Sequence, residues 1–190
     1  MINFNHETHT YTESRTGKVW PSVTQILKQL GNLFDSIPPD VLERKRLLGT
    51  AVHEACELHD KDAMEGFELH QDVLPYLDQY LCFLSDTGAS CVANEQLVFS
   101  ERFKFAGTLD RIYSIAGKRV LCDIKTSATV LMSYGPQTAG YAMCDGVDID
   151  SRAILLLAPD HYKFIPMNGM QDKNVFLSCL TLHNYKASQK

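Results

Sequence analysis

Apolar positions along the chain change their period more than once, and each change marks a change of element. Loose alternation over residues 2–12, a turn cluster at Ser14-Arg15-Thr16-Gly17 and a resumed run at Lys18-Val19-Trp20 predict a β-hairpin. Ser22, with Gln25 three residues on, has capping-box spacing and predicts a short helix to about Leu30, stopped by Gly31. Pro38-Pro39-Asp40 opens a longer helix to about His59, in which Val41, Leu48, Val52, Ala55, Cys56 and His59 recur at helical spacing. Gly49 inside it costs about 1 kcal/mol against Ala and marks a place where something packs close to the backbone. Residues 73–84 predict a third helix, with Pro75 in its first turn and Gly88 at its end.

From Cys91 the period becomes that of strands, over residues 91–98, 103–115 and 119–124. Residues 136–144 read as a helix, 153–157 and 162–167 as a strand pair around Pro159-Asp160-His161, and 170–185 as a final helix. No internal repeat or long linker divides the 190 residues, so the expectation is one α/β domain over 1–190. Its parts are an N-terminal hairpin and short helix (1–31), a long helix (38–60), a sheet with an intervening helix (91–167) and a C-terminal helix (170–186).

Composition narrows this further. Hydrophobic residues are 45% and charged residues 22%, values of a globular chain rather than a disordered or collagenous one. The net charge of −5 excludes a generic polycation, so any nucleic-acid contact needs a local basic surface. The longest apolar run, 153–158, is far short of a membrane span, and the N-terminus carries no secretory signal pattern. The six cysteines include no CxxC pair and read mostly as small core residues of a reducing compartment.

The chemically informative segment runs from Phe105-Ala106-Gly107-Thr108-Leu109-Asp110 to Cys122-Asp123-Ile124-Lys125-Thr126 and reads as a hairpin. With Ala116-Gly117 as a two-residue loop, Asp110 falls opposite Asp123; with Gly117-Lys118, it falls opposite Lys125. In both registers two carboxylates and one ammonium share a face, while Val120, Cys122 and Ile124 point to an apolar one. A three-residue loop separates them unless a bulge intervenes. Facing carboxylates repel and want a cation, and such oxygen ligands suit Mg²⁺ or Mn²⁺. Lys125 then stabilises developing negative charge or helps activate a water, the inventory of metal-assisted phosphodiester hydrolysis. The competing reading is an exposed hairpin with scattered charges.

Gly107-x-x-Asp110 followed by Asp123-Ile124-Lys125 resembles the core of the PD-(D/E)XK nuclease superfamily. Gly49-Thr50-Ala51-Val52-His53 resembles the helical histidine motif of its RecB-like branch, and Gln137-Thr138-Ala139-Gly140-Tyr141 resembles that branch's Gln-x-x-x-Tyr motif. The pieces stand in the family's order over most of the chain. Trp20-Pro21-Ser22-Val23-Thr24 resembles the N-terminal region of small single-domain members, among them phage nucleases and the mitochondrial genome-maintenance exonuclease. The resemblance implies a single-domain PD-(D/E)XK nuclease fold, a central mixed β-sheet flanked by helices. It implies that His53, Asp110, Asp123 and the backbone carbonyl of Ile124 ligate one or two Mg²⁺ or Mn²⁺ ions. Lys125 would be the catalytic lysine beside Asp110 and Asp123, and Gln137 and Tyr141 would support the site or touch the DNA backbone.

Glu57, one turn from His53, either orients the ring or joins Glu54 on a solvated face. Glu95 either belongs to the site, as its counterpart does in many members, or forms a surface salt bridge. His53-Glu54 opens like a zinc-protease HExxH, but position 57 is Glu, so that reading fails. Some RecB-like nucleases hold an iron–sulfur cluster through clustered C-terminal cysteines; here Cys144 and Cys179 alone stand in that region, and no cluster is expected.

Candidate phosphate contacts are Arg44, Lys45, Arg46, Arg102, Lys104, Arg111 and Lys163, and candidate base-stacking groups are Trp20, Tyr134 and Tyr141. The implied activity is metal-dependent exonuclease action at single-stranded or duplex DNA ends, in phage-type recombination, repair or replication. A recombination or replication partner of unknown identity, no membrane, and a cytoplasmic location (the host's, if phage-encoded) go with it. The alternatives are a structure- or sequence-specific endonuclease, a non-catalytic nucleic-acid-binding module on the same fold, and a hydrolase of another phosphate ester.

Overall fold

Eight strands in two sheets and five α-helices make up the described residues, 1–5, 7–31 and 38–189 of a computed structural model. β1 (Ile2–Asn5), β2 (Thr10–Glu13) and β3 (Val19–Trp20) form a small antiparallel sheet in that order. The expected hairpin thus becomes three strands, because a turn ending at His9, with φ +52°, splits its first arm. α1 (Val23–Leu27) continues as a 3₁₀ turn to Leu30, and both capping-box bonds form: Gln25 N–H donates to Ser22 Oγ and Ser22 N–H to Gln25 Oε1, each at 3.0 Å.

α2 (Pro39–Asp60) and α3 (Leu74–Thr87) each carry a proline in the first turn, where no intrahelical donor is needed. Gly88 ends α3 at φ +63°, a left-handed cap. The main sheet contains β4 (Ser90–Ser100), β5 (Phe105–Ile115), β6 (Lys118–Lys125), β7 (Ser151–Leu157) and β8 (Tyr162–Pro166) in sequential order. Its pairs are antiparallel except β6 with β7. A parallel pair needs a crossover, and α4 (Tyr134–Ala142) lies in it. α5 (Asp172–Ser188) ends the chain, starting and finishing slightly later than its apolar pattern predicts. β5 starts at Phe105 rather than 103, since Lys104 takes φ +55° in the preceding turn.

The result is a mixed α/β architecture with helices on both faces of the main sheet. Val52, Ala55 and Cys56 of α2 and Tyr80 and Phe83 of α3 pack on Tyr113, Cys122, Ile124 and Leu155. Val23 and Ile26 of α1, Tyr141 of α4 and Phe176 and Leu180 of α5 pack around Leu109, Ile112 and Leu121. β6 is therefore covered on both faces. The face of Leu121 and Asp123 is not the open polar patch that alternation alone predicts, because α4 and α5 cover it. All six cysteines are free and Cys82 is exposed. Among the described residues no helix is long and apolar enough to cross a membrane.

Candidate metal and catalytic site

The site begins with a two-residue turn. Ala116 and Gly117 have φ +49° and +76°, the left-handed pair that a tight hairpin needs, and Ile115 pairs with Lys118. Of the two registers open in the sequence, this one puts Asp110 in line with Asp123. The ladder stops one step earlier, at Arg111 opposite Cys122. There the strands part, and the N–H of Ile124 donates to Asp110 Oδ2 at 2.9 Å. The alternation of β5 also slips here: Leu109 packs with the α1–α4–α5 side, whereas Arg111 and Tyr113 meet α2 and α3. On the neighbouring strand, Glu95 lies between Asn94 (opposite Arg111) and Gln96 (opposite Leu109) and takes φ +45°. A kink across two strands thus gathers carboxylates from β4, β5 and β6.

α2 closes over this kink. A Cβ on Gly49 would lie 3.3 Å from Thr126 Oγ1, so the glycine is where the helix meets the end of β6. One turn on, His53 Nε2 is 2.8 Å from the carbonyl oxygen of Ile124, and Nδ1 is 3.5 Å from Asp110 Oδ2. Ligand atoms of His53, Glu95 and Asp110 lie within 4.8 Å of one another. His53 and Glu95 line a cleft of about 530 Å³ whose walls also include His9, Arg46, Thr50 and Glu57.

Asp123 sits deeper, 1% exposed. Gln137 Nε2 donates to its Oδ1 at 3.0 Å; its Oδ2 pairs with the Lys125 ammonium but makes no directed hydrogen bond. Burial, reinforced by Asp110, pushes its carboxyl up to about 6. Burial and Asp110 likewise push Glu95 up to about 7, against the pull of Arg111. For Lys125, burial lowers the pKa, but Asp123 and Asp110 outweigh it and hold the ammonium above its ordinary value. Gln137 therefore supports the site from beneath. Tyr141, four residues on, is buried against Gly107, where a Cβ would come within 2.7 Å of its ring. It has no open face for DNA.

Sequence reasoning missed the partner of Arg111. That side chain, expected among the phosphate contacts, is 0% exposed and cannot meet a substrate. Its Nε donates to Asp60 Oδ2 at 2.6 Å, and its Nη1 donates to Glu95 Oε1 at 3.0 Å and to the Asp110 carbonyl at 2.8 Å. Tyr80 Oη donates to Asp60 Oδ1 at 2.5 Å and lies 2.8 Å from Tyr113 Oη. The available signal was periodicity: Asp60 is seven residues from His53, two turns along one face of α2. Glu95, left open between site and surface, is at the site and bonded to Arg111.

Of the other candidates, Glu57 and Arg46 stand on the cleft wall and the rest lie outside the cleft. Glu57 pairs with Lys61, and the ring of His53 is oriented by Ile124 and Asp110 instead. Arg46 is exposed on the cleft wall and pairs with Glu43 at 2.7 Å. Arg44 and Lys45 line a different cleft, of about 910 Å³, with Leu48 and Tyr76. Arg102 and Lys104 lie over the rings of Phe103 and Trp20. Lys163 lies on the outermost strand, β8. Trp20 and Tyr134 are buried, so neither is a stacking platform; the ring of Tyr134 lies 5.3 Å from Lys125 Nζ.

Neither a family model nor a curated protein matches the chain. A solved structure titled "Crystal structure of SSO0001" is similar over 83% of this chain and 80% of that one, at 16% identity and a TM-score of 0.37, too low a similarity to carry an argument.

Proposed function

We propose that this protein is a metal-dependent DNA exonuclease of the PD-(D/E)XK type, in the RecB-like branch. One observation carries the reading. Four carboxylates (Asp60, Glu95, Asp110 and Asp123) converge on two cations, Arg111 and Lys125, so the fully ionised cluster is two positive charges short. Burial raises Glu95 and Asp123 most, and repulsion from Asp110 adds to it in the direction the deficit requires. A divalent cation balances it, and the donor set of one imidazole with carboxylate and carbonyl oxygens suits Mg²⁺ or Mn²⁺. His53, Asp110, Asp123 and the Ile124 carbonyl would hold the ion, with Glu95 beside them. The buried Oδ2 of Asp123, lacking a directed hydrogen bond, fits a ligand atom.

When bound, the ion supplies Lewis-acid chemistry, polarising the scissile phosphate and lowering the pKa of a water. The chain's own groups do the rest. His53 is kept in place through Ile124, and Gln137 fixes the rotation of the Asp123 carboxylate. Lys125, protonated between two carboxylates, stabilises charge on the phosphate rather than abstracting a proton. Arg46 and Thr50 on the open cleft wall are placed to meet the flanking backbone.

The test is a time course on linear single-stranded DNA labelled separately at each end, beside a closed circular strand. The expected result with Mg²⁺ or Mn²⁺ is loss of the linear strand, an intact circle, and no reaction in EDTA. Nicking of the circle would convert the reading to an endonuclease. No metal-dependent cleavage of single strands or duplex ends would overturn it.

A further inference from the structure

Resting on that reading, we propose that Asp60 and Arg111 are positioning residues of the site: Asp60 neutralises Arg111, so that Arg111 aims Glu95 into the cleft without keeping it as a permanent counter-ion. Neither residue reaches the cleft. Their side chains are 3% and 0% exposed, whereas that of Glu95 is 32% exposed and lines it. The guanidinium is shared unequally, with the shorter contact to Asp60 (2.6 Å) and the longer to Glu95 (3.0 Å). Asp60 is itself held by Tyr80 and Asn94, so its charge is committed to Arg111. A planar fork presents donors to two carboxylates in fixed directions, whereas an ammonium on a flexible stem fixes neither. Nη2 is buried without an acceptor, so the arrangement is not optimised for stability alone. His53 and Asp60 stand on one face of α2, so a single helix carries a ligand and the group that frees another.

If Asp60 loses its charge, Arg111 keeps Glu95 as its counter-ion and withdraws it from the cleft. Calorimetric titration of Mn²⁺ into metal-free protein reads this directly, without cleavage. Asp60→Asn and Arg111→Lys are each expected to weaken Mn²⁺ binding about 10- to 100-fold, the range for groups that orient metal ligands. The loss should vanish when either change is made in a Glu95→Gln background. Arg111→Lys keeps the buried charge paired and covers the case in which Asp60→Asn does not fold. Wild-type affinity in a folded variant would overturn the inference alone, as would a loss undiminished in the Glu95→Gln background. A wild-type protein that binds no Mn²⁺, or whose binding survives Asp110→Asn, would overturn the metal reading and this inference with it.

Discussion

Two arginines on the main sheet, Arg111 buried and Arg152 partly buried, sit in opposite electrostatic situations. Arg152 on β7 donates to the Gly135 carbonyl at 2.8 Å, to Thr138 Oγ1 at 3.1 Å and to Asp172 Oδ2 at 3.1 Å. One cation meets one carboxylate and neutral acceptors, and the effect is to fasten α4 and α5 to the sheet. Arg111 on β5 meets two carboxylates while two more stand within the same cluster. The first arrangement is complete as it stands. The second is short of positive charge, which is the physical difference between a fastening and the cation site proposed above.

Breaking the unbalanced cluster should have the largest effect. Asp123→Ala should abolish cleavage, and Lys125→Ala should slow it at least about 100-fold, as for loss of one charge-stabilising group. Asp110→Asn should raise the melting temperature of the metal-free protein, because it relieves like-charge repulsion on Glu95 and Asp123. Cleavage rates beside melts in chelator would check all three; near wild-type rates would end the assignment.

A smaller effect of opposite kind is expected at the balanced arginine. Arg152→Ala removes the cation beside Asp172 and two hydrogen bonds to α4 and should cost about 1–3 kcal/mol. Cleavage per folded molecule should not change. Denaturant unfolding combined with active-site titration separates the two quantities.

The smallest effect is a pH slope. A carboxyl raised in the folded state binds its proton more tightly there, so the stability it adds is full below its ordinary pKa and is lost as pH rises through the raised one. For Glu95 that window runs from 4.5 to about 7, and for Asp123 from 3.8 to about 6. In chelator, stability should fall across this range more steeply in wild type than in Glu95→Gln. Saturating Mn²⁺ should cancel the difference, since the cation replaces the protons. Melting temperatures at about pH 5 and about pH 8 decide it.

Much of the fold was legible along the chain. The Ser22–Gln25 box, the prolines opening α2 and α3, the Ala116-Gly117 turn and the strand runs are signals spanning a few residues, and each formed where its local chemistry allowed. Element ends were less legible, since turns such as that at Lys104 depend on backbone conformation rather than apolar period. Of the candidate site, Asp110, Asp123 and Lys125 followed from hairpin alternation, whereas His53 and Gln137 followed from the resemblance of their motifs to those of a nuclease family.

The strand and helix faces were readable along the chain, because they follow from periods of two and 3.6 residues, while the choice between two β5–β6 registers fell to the Ala116-Gly117 turn. Burial and charge balance came from packing. Arg111 read as a surface cation until α2 brought Asp60 to it from 51 residues away. Glu95 was undecided until β4 kinked beside Asp110, and Asp123 stood on an open face until α4 covered it. Each outcome is a contact between segments remote in sequence, and the energy of a charge is set by the groups packed around it, not by its neighbours along the chain.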